Sequence, residues 1–512
     1  MVQTPFPRHA DVVVAGGGPA GATVARLLAR FGHRVVLLEK RRFPRHQIGE
    51  SLTPQILPVL DFLGVRQRVE AAGFLRMVGH TVCWGSAQPR TSYYSPDHTR
   101  YGFQAWREDF DTLLLSHARE AGVHIYEGLA VDTVIVGTNQ RVTVYTRKGA
   151  LTTEFFIDAS GHAGILARQQ LRQRDHTYRT LALTGYWHSA AGPAGIDFAN
   201  TLLETYRDGL VWSVPLHNKL RNVTLLLDWR EGAEIRRTGL ADFYLAALQQ
   251  SPYISGFLTS AQLSRPPQVF DATWYTAKAF AGEQFLLVGD AGLFIDPLSS
   301  EGVHKAMASA ITGAVVVNTI LKRPAMIPHA IQFYNESQRA TYETHYQQSV
   351  RYYGEEQRWS DQPFWQKRSF KGGRGPGSRR KAEDKKRVFD PGPRPPDGHE
   401  FQRPAPGSQK VSAIRTAPGV RIEQRPVIEG PLVELRDVVV APPYPRGVRS
   451  LLGVNVPVLL NIIAHRSPVV EVISAYLATP EGVRTLPESI RQVLARLYQE
   501  GILVSADVTE TG

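Results

Sequence analysis

The sequence predicts an α/β protein: a parallel-sheet core, an inserted antiparallel sheet, and a small winged-helix-like α+β module at the C-terminal end. Three observations carry this. Residues 11–39 read as a compact strand–turn–helix–strand unit. Apolar runs of buried type return at 155–159 and 285–289, each followed by a turn. Beyond a Pro/Gly-rich stretch, helical patterns resume and close on a short apolar strand.

Asp11-Val-Val-Val-Ala15 is the kind of short apolar run that fills a sheet covered on both faces. Ala22–Phe31 follows as a helix with a small-residue inner face, and Arg34–Glu39 as a second buried strand. Helical periodicity marks 57–63 and 110–121, and strands are expected at 123–127, 131–137, 141–146 and 155–159. Residues 180–275 read as strand-rich, most clearly at 223–229. After the strand at 285–289, helices are expected from Gly302 through Val317 and over 328–352.

Between Lys371 and Gly407 there are seven Gly and seven Pro in 37 residues. Such a segment buries too little surface to offset its ordering entropy. The expected organisation is therefore a domain over 1–366, a disordered basic linker over 367–420 and a module over 421–512. Within the first domain, 9–175 and 276–366 form the core and 176–275 the inserted sheet. In the module, 432–440 reads as a strand, 469–477 and 490–498 as amphipathic helices, and 501–504 as the closing strand.

With 43% hydrophobic and 21% charged residues, the 512-residue chain is neither collagen-like nor wholly disordered. A single cysteine, Cys83, cannot form an internal disulfide, so a reducing cytoplasm is expected and no metal site is assigned. The longest mostly apolar stretch, 456–464, is about half a bilayer span, so no membrane is expected. The net charge of +12 invites a nucleic-acid reading. Residues 366–425, however, hold 16 Lys/Arg and 6 Asp/Glu, a net of +10. The excess thus belongs to a solvated linker, and a nucleic-acid partner is not expected.

The motifs carry more. Gly16, Gly18 and Gly21, with Gly17, Pro19 and Ala20 between them, form G-x-G-x-x-G between a buried strand and a helix, and Glu39 ends the next strand. The glycines permit a tight turn and close backbone approach to a pyrophosphate, the helix start supplies N–H donors, and Glu39 can bond ribose hydroxyls. The spacing does not recur credibly: the Gly-rich run Gly372–Gly377 has no strand before it, so a second dinucleotide fold is not expected. Val288-Gly289-Asp290-Ala291 places an acid at a strand end, suited to polyol hydroxyls, ahead of Phe294-Ile-Asp-Pro297-Leu-Ser-Ser-Glu301-Gly302. Arg107 is within reach of a phosphate or ribose in this reading.

These motifs, with Gly49-Glu50-Ser51-Leu52-Thr53-Pro54, Phe156-Ile-Asp-Ala-Ser-Gly161 and Phe364-Trp365, resemble the FAD-dependent aromatic hydroxylase superfamily, and within it the flavin-dependent halogenases and halogenase-like monooxygenases. The resemblance covers about 9–366. It implies a glutathione-reductase-like Rossmann FAD-binding fold with an inserted antiparallel substrate sheet. It implies FAD, reduced by a separate reductase or by NAD(P)H, and O2. It implies cofactor contacts at Gly16, Gly18, Pro19, Ala20, Gly21, Glu39, Lys40, Ser51, Arg107, Asp290, Pro297, Gly302 and Val303. A substrate pocket is expected at Met77, Trp212 and Pro215, with Glu50, His304 and Lys305 as candidate acid/base residues.

Three departures bear on the reaction. The halogenase lysine falls at Met77 in Gly73-Phe-Leu-Arg-Met-Val-Gly79, and no lysine occurs from Arg41 to Arg147. The family's Trp-x-Trp-x-Ile-Pro appears as Leu210-Val-Trp212-Ser-Val214-Pro215. Glu301 stands in the loop that would hold halide, where its charge repels an anion. The expected reaction is hydroxylation of an aromatic or heteroaromatic substrate, small, carrier-bound or within a peptide, through a flavin C4a-hydroperoxide. Halogenation, flavin oxidase or desaturase chemistry, and an FAD-binding nucleic-acid regulator stay open as alternatives.

Overall fold

The computed structural model describes residues 6–137, 141–174, 179–188, 200–217, 219–369, 413–463 and 467–506. It divides into two units, 1–378 and 379–512.

The core sheet of the first unit runs, edge to edge, His124–Glu127, Val35–Glu39, His9–Ala15, Gly149–Asp158, Val142–Thr146 and Thr133–Val136. Besides His9–Ala15, the long strand Gly149–Asp158 serves two neighbours: its first half pairs antiparallel with Val142–Thr146, its end parallel with Phe285–Leu287. Ala15 is in register with Asp158, and Asp158 with Leu287. Three parallel strands therefore end side by side, and the glycine turn, the Asp158 turn and Gly289-Asp290 leave the sheet together. Ligands of open α/β sheets bind at such carboxyl ends. Val12, Val13 and Val14 are fully buried, which is why this strand tolerates no polar alternation. Helices Pro19–Arg30 and Gly302–Lys322 pack side by side. The second is long and apolar enough to cross a membrane, but most of it is buried in this core.

The inserted sheet runs Gln262–Leu263, Thr180–His188, Leu220–Asp228, Gly209–Pro215, Thr201–Tyr206, Gly79–Cys83 and Arg90–Tyr93, with Gln268–Asp271 also on Thr180–His188. Its strands alternate cleanly. Leu183, Trp187, Val211, Val223 and Leu225 pack under three helices over 232–258. Tyr186, Leu210, Val214 and Leu226 face the other way, with Trp212 against them. Those helices correct the strand-rich reading of 180–275. The signal was present: Leu240, Phe243, Tyr244, Ala247 and Leu248 fall on one helical face. Gly79–Cys83, far earlier in the chain, pairs parallel with Thr201–Tyr206. A third, three-stranded sheet joins Ser51–Leu52 and Leu75–Met77 to Gly102–Gln104.

The second unit has its own core. Ile414, Val439, Val456, Leu460, Val472, Tyr476, Ile490, Val493 and Leu497 pack together. Helices Val456–Ile462, Val469–Leu477 and Pro487–Gln499 lie in this unit with the hairpin sheet Arg421–Glu429, Leu432–Ala441 and Tyr444–Val448. Residues 370–412 of the expected linker lie outside the described residues. Its ends are structured: Pro363–Arg368 is helical, and Ala413–Thr416 is a strand paired with Leu503–Ser505. The 367–420 boundaries are corrected accordingly, because Ile414 is a core residue of the second unit.

Candidate active site

At the glycine turn, Gly16 has φ +107°, and a Cβ there would lie 2.3 Å from the Ala159 carbonyl oxygen. A Cβ on Gly21 would lie 1.9 Å from the Gly16 carbonyl oxygen. These two glycines hold turn, strand and helix together. Gly18 differs: its Cβ would meet only the Arg45 guanidinium, at 3.2 Å. The helix beginning at Pro19 has no side-chain cap, so its first-turn donors are left without one. The Glu39 carboxylate accepts from the backbone N–H of Gly17 at 2.7 Å and of Arg41 at 2.8 Å, leaving further lone pairs for ribose hydroxyls. Lys40, beside it, is exposed.

Arg45 escaped the sequence reading. Its guanidinium is held by Asp111 at 3.3 Å and stacks 4.6 Å from the Phe43 ring centroid. Arg107, expected to meet phosphate or ribose, is placed otherwise. It is buried, bonds both Asp111 carboxylate oxygens at 2.9 and 3.1 Å, and donates to the Ile48 and Gly49 carbonyls at 2.7 and 3.3 Å. It clamps the turn before Glu50, and Arg45 is the cation beside the glycine turn.

On the opposite side, Gly289 has φ +58°, and a Cβ there would come within 3.0 Å of the Ala20 Cβ, so the two motifs pack directly. Asp290 Oδ1 accepts from Lys305 Nζ at 2.7 Å, and the same Nζ reaches the Leu293 carbonyl. Lys305 is buried, while Asp290 keeps a third of its side chain accessible and one oxygen outside this contact. Lys305, a substrate-side acid/base candidate in the sequence, is thus bound to Asp290 and the Leu293 carbonyl. Asp296 caps the short turn Pro297–Ser299 through the Leu298 N–H at 2.8 Å, and Gly302 and Val303 open the long helix.

Beyond this loop the side chains turn polar. Glu301 accepts from Thr53 Oγ1 at 2.7 Å and pairs with His304 Nδ1 at 2.7 Å. Burial pushes its carboxyl up, but the His304 and Thr53 hydrogen bonds outweigh this and hold it below the ordinary range. Burial and the nearby Glu301 charge push Tyr94 up to about 12. Met77 is buried, its sulfur 3.9 Å from Tyr94 Oη and 3.6 Å from Thr201 Oγ1. Ser51, expected at the cofactor, instead bonds Gln104 at 2.8 Å and Thr201 at 3.1 Å, in the network around Met77. Glu50 is buried, accepts from the Gly49 N–H at 3.0 Å and takes a short hydrogen bond from the Tyr186 hydroxyl. Burial raises its carboxyl above the ordinary range. Trp212 and Pro215 lie on the strand Gly209–Pro215, Trp212 half-buried among the sheet's aromatic face.

A family profile described as "Tryptophan halogenase" matches residues 11–94 and 84–383, most of the chain. The chain belongs to the tryptophan halogenase family. A tryptophan 2-halogenase of Chondromyces crocatus is 36% identical over 341 residues, 64% of this chain and 65% of that relative. The match thus spans slightly under two thirds of that relative's length. Among solved structures, the flavin-dependent halogenase CmlS matches with TM-score 0.75 at 24% identity, covering 98% of this chain and 96% of that one. The peptidyl tryptophan dihydroxylase QhpG matches with TM-score 0.67 at 25% identity, covering 98% and 100%.

Tryptophan halogenase family members are FAD-dependent oxidoreductases, and the residues present fit FAD. The uncapped helix start, the open face of Gly18 and the Arg45 cation suit a pyrophosphate; Glu39 suits a ribose; Asp290 suits ribityl hydroxyls. FAD bound there would supply the oxidative chemistry with O2, and these residues would hold it in place.

Proposed function

We propose that this enzyme transfers oxygen, in place of halogen, to an aromatic or heteroaromatic substrate. The observation that carries the reading is the Met77 site. A thioether, in hydrogen-bond contact with Tyr94 and Thr201, stands where the family resemblance puts an amine. The buried lysine of the helix Gly302–Lys322, Lys305, is committed to Asp290 and the Leu293 carbonyl. Nearby, Glu301 keeps its negative charge through His304 and Thr53, a field that disfavours halide.

The same pair suggests a role for His304. Its Nδ1 is bound by Glu301, which leaves Nε2 to take a proton from an indole or phenol, and the ring is 29% exposed. Carboxylate orientation of an imidazole is a recurrent arrangement for a general base. A separate flavin reductase is the proposed source of reduced cofactor. A tethered substrate, carrier- or peptide-bound, is proposed on the full-length likeness to a peptidyl tryptophan dihydroxylase.

The test is product mass after incubation with reductase, O2, candidate aromatic substrates and saturating bromide. A gain of oxygen is expected, and a Met77→Lys variant should still give no brominated product. Halogenation is the second reading, favoured by the halogenase relatives. A brominated product from the unmodified enzyme, dependent on FAD and O2, establishes it and overturns the first.

A further inference from the structure

An unbroken file of oxidisable aromatic rings lies behind the Pro297 loop. At its inner end the Tyr353 hydroxyl donates to Asp296 Oδ2 at 2.9 Å, one residue before Pro297. The Tyr353 ring centroid is 5.9 Å from that of Trp365 and 6.1 Å from that of Trp84. Trp84 and Trp365 are 5.6 Å apart, and Trp365 stacks on Trp359 at 6.3 Å. Tyr353 and Trp365 are fully buried, whereas Trp84 and Trp359 reach half-buried positions.

Packing alone does not call for this chemistry. Phe364 sits in the same cluster, 5.2 Å from Trp365 and 6.0 Å from Tyr353, and fills space without an oxidisable group. The file instead uses indoles and a phenol, and its phenol has a carboxylate placed to take its proton. Burial pushes the Asp296 carboxyl above its ordinary range, which favours its taking up a proton.

We propose that Tyr353, Trp365, Trp84 and Trp359 form a one-electron relay that carries stray oxidising equivalents from the flavin loop to solvent. The proposal rests on FAD binding, common to the family, and is independent of whether oxygen or halogen is transferred. The oxidant is a one-electron oxidant of the reduced-oxygen class, formed in unproductive turnover with O2. Tyr353 gives it one electron and passes the phenolic proton to Asp296 Oδ2. Trp365 or Trp84 returns one electron to Tyr353, which recovers its proton from Asp296. The electron vacancy then moves to Trp359. The Arg358 guanidinium, 4.1 Å from that ring centroid, disfavours an indole radical cation, so the indole proton leaves to water. A thiol or ascorbate in solution restores the electron, and water restores the proton.

The experiment is flash photo-oxidation of the full-length protein in solution with a ruthenium polypyridyl complex, with tryptophan and tyrosine radicals followed by transient absorption. Tryptophan radical should form first and tyrosine radical should grow from it. Tyr353→Phe should remove most of that tyrosine signal. Trp359→Phe should slow its rise several-fold, and Asp296→Asn should slow it and abolish its solvent deuterium effect. An unchanged tyrosine signal in Tyr353→Phe overturns the relay. If a tryptophan variant fails to fold, as read by circular dichroism, Tyr353→Phe still decides. Under turnover with reductase and O2 but no substrate, peptide mapping should find oxidation at Trp359 and Trp84, shifting inward in Tyr353→Phe. The same damage pattern in both proteins overturns the protective role.

Discussion

Glu301 Oε2 lies 2.7 Å from His304 Nδ1, one turn into the helix that the Pro297 loop opens, with Thr53 Oγ1 on the other carboxylate oxygen. This fixes the histidine's tautomer and its facing. His304→Ala should lower turnover on the order of 10²-fold, in keeping with the loss of a general base, while FAD affinity by fluorescence titration stays near wild type. His304→Gln, which can keep the Glu301 hydrogen bond but takes no proton, should be equally slow. Full activity in that variant would reduce the pair to a structural role.

The Glu301 carboxyl is held below its ordinary value, so its ionised form favours the folded state. That contribution is fully present above the unfolded value near 4.5 and is lost as pH falls through the lower folded value. Glu301→Gln should therefore be less stable than wild type above about pH 5, with the gap closing below it. Urea midpoints across pH 3–7 on the order of one-unit steps would show this. A gap that widens in acid would contradict it.

The three glycines of the turn should not behave alike. Gly21→Ala drives a Cβ into the Gly16 carbonyl, and Gly16→Ala into the Ala159 carbonyl at a positive φ. Both should be poorly folded. Gly18→Ala meets only the end of the flexible Arg45 side chain, so it should fold normally and bind FAD more weakly. Arg45→Ala should fold and lose about 10- to 100-fold in FAD affinity, the value of a charge-assisted hydrogen bond. Wild-type affinity in Arg45→Ala would remove it from the pyrophosphate site.

Asp290→Asn leaves the Lys305 ammonium buried without its counter-charge. Breaking a buried pair from one side costs about 3–5 kcal/mol, so a large fall in the denaturation midpoint is expected, together with weaker FAD binding. Lys305→Met leaves the partly accessible Asp290 and should cost less. If Lys305→Met is the more damaging of the two, Lys305 does more than position Asp290.

Each unit carries its own core, so fragment 1–378 should fold and bind FAD, and 379–512 should melt cooperatively by itself. Loss of FAD binding in soluble 1–378 would show that the second unit completes the site.

The determinants legible in sequence were those whose physics is local. A turn that needs Gly16, a helix start that needs Gly21 and an acid ending a buried strand, Glu39 or Asp290, each declare themselves within a few residues. The parallel core followed from apolar runs too short for helices. The helices over 232–258 were also legible through their period and were misread. What the tertiary structure alone decided is the pairing of side chains distant in sequence. Thr201 and Tyr94 on the Met77 sulfur, Tyr186 on Glu50, Arg45 over Gly18 and Asp111 on Arg107 leave no periodic or spacing signal. A hydrogen bond or ion pair depends on where atoms arrive once the strands have paired. The parallel pairing of Gly79–Cys83 with Thr201–Tyr206 helps bring the Met77 region against the substrate sheet. Residue type states what a side chain can do, and the register of the sheets selects the partner it does it with.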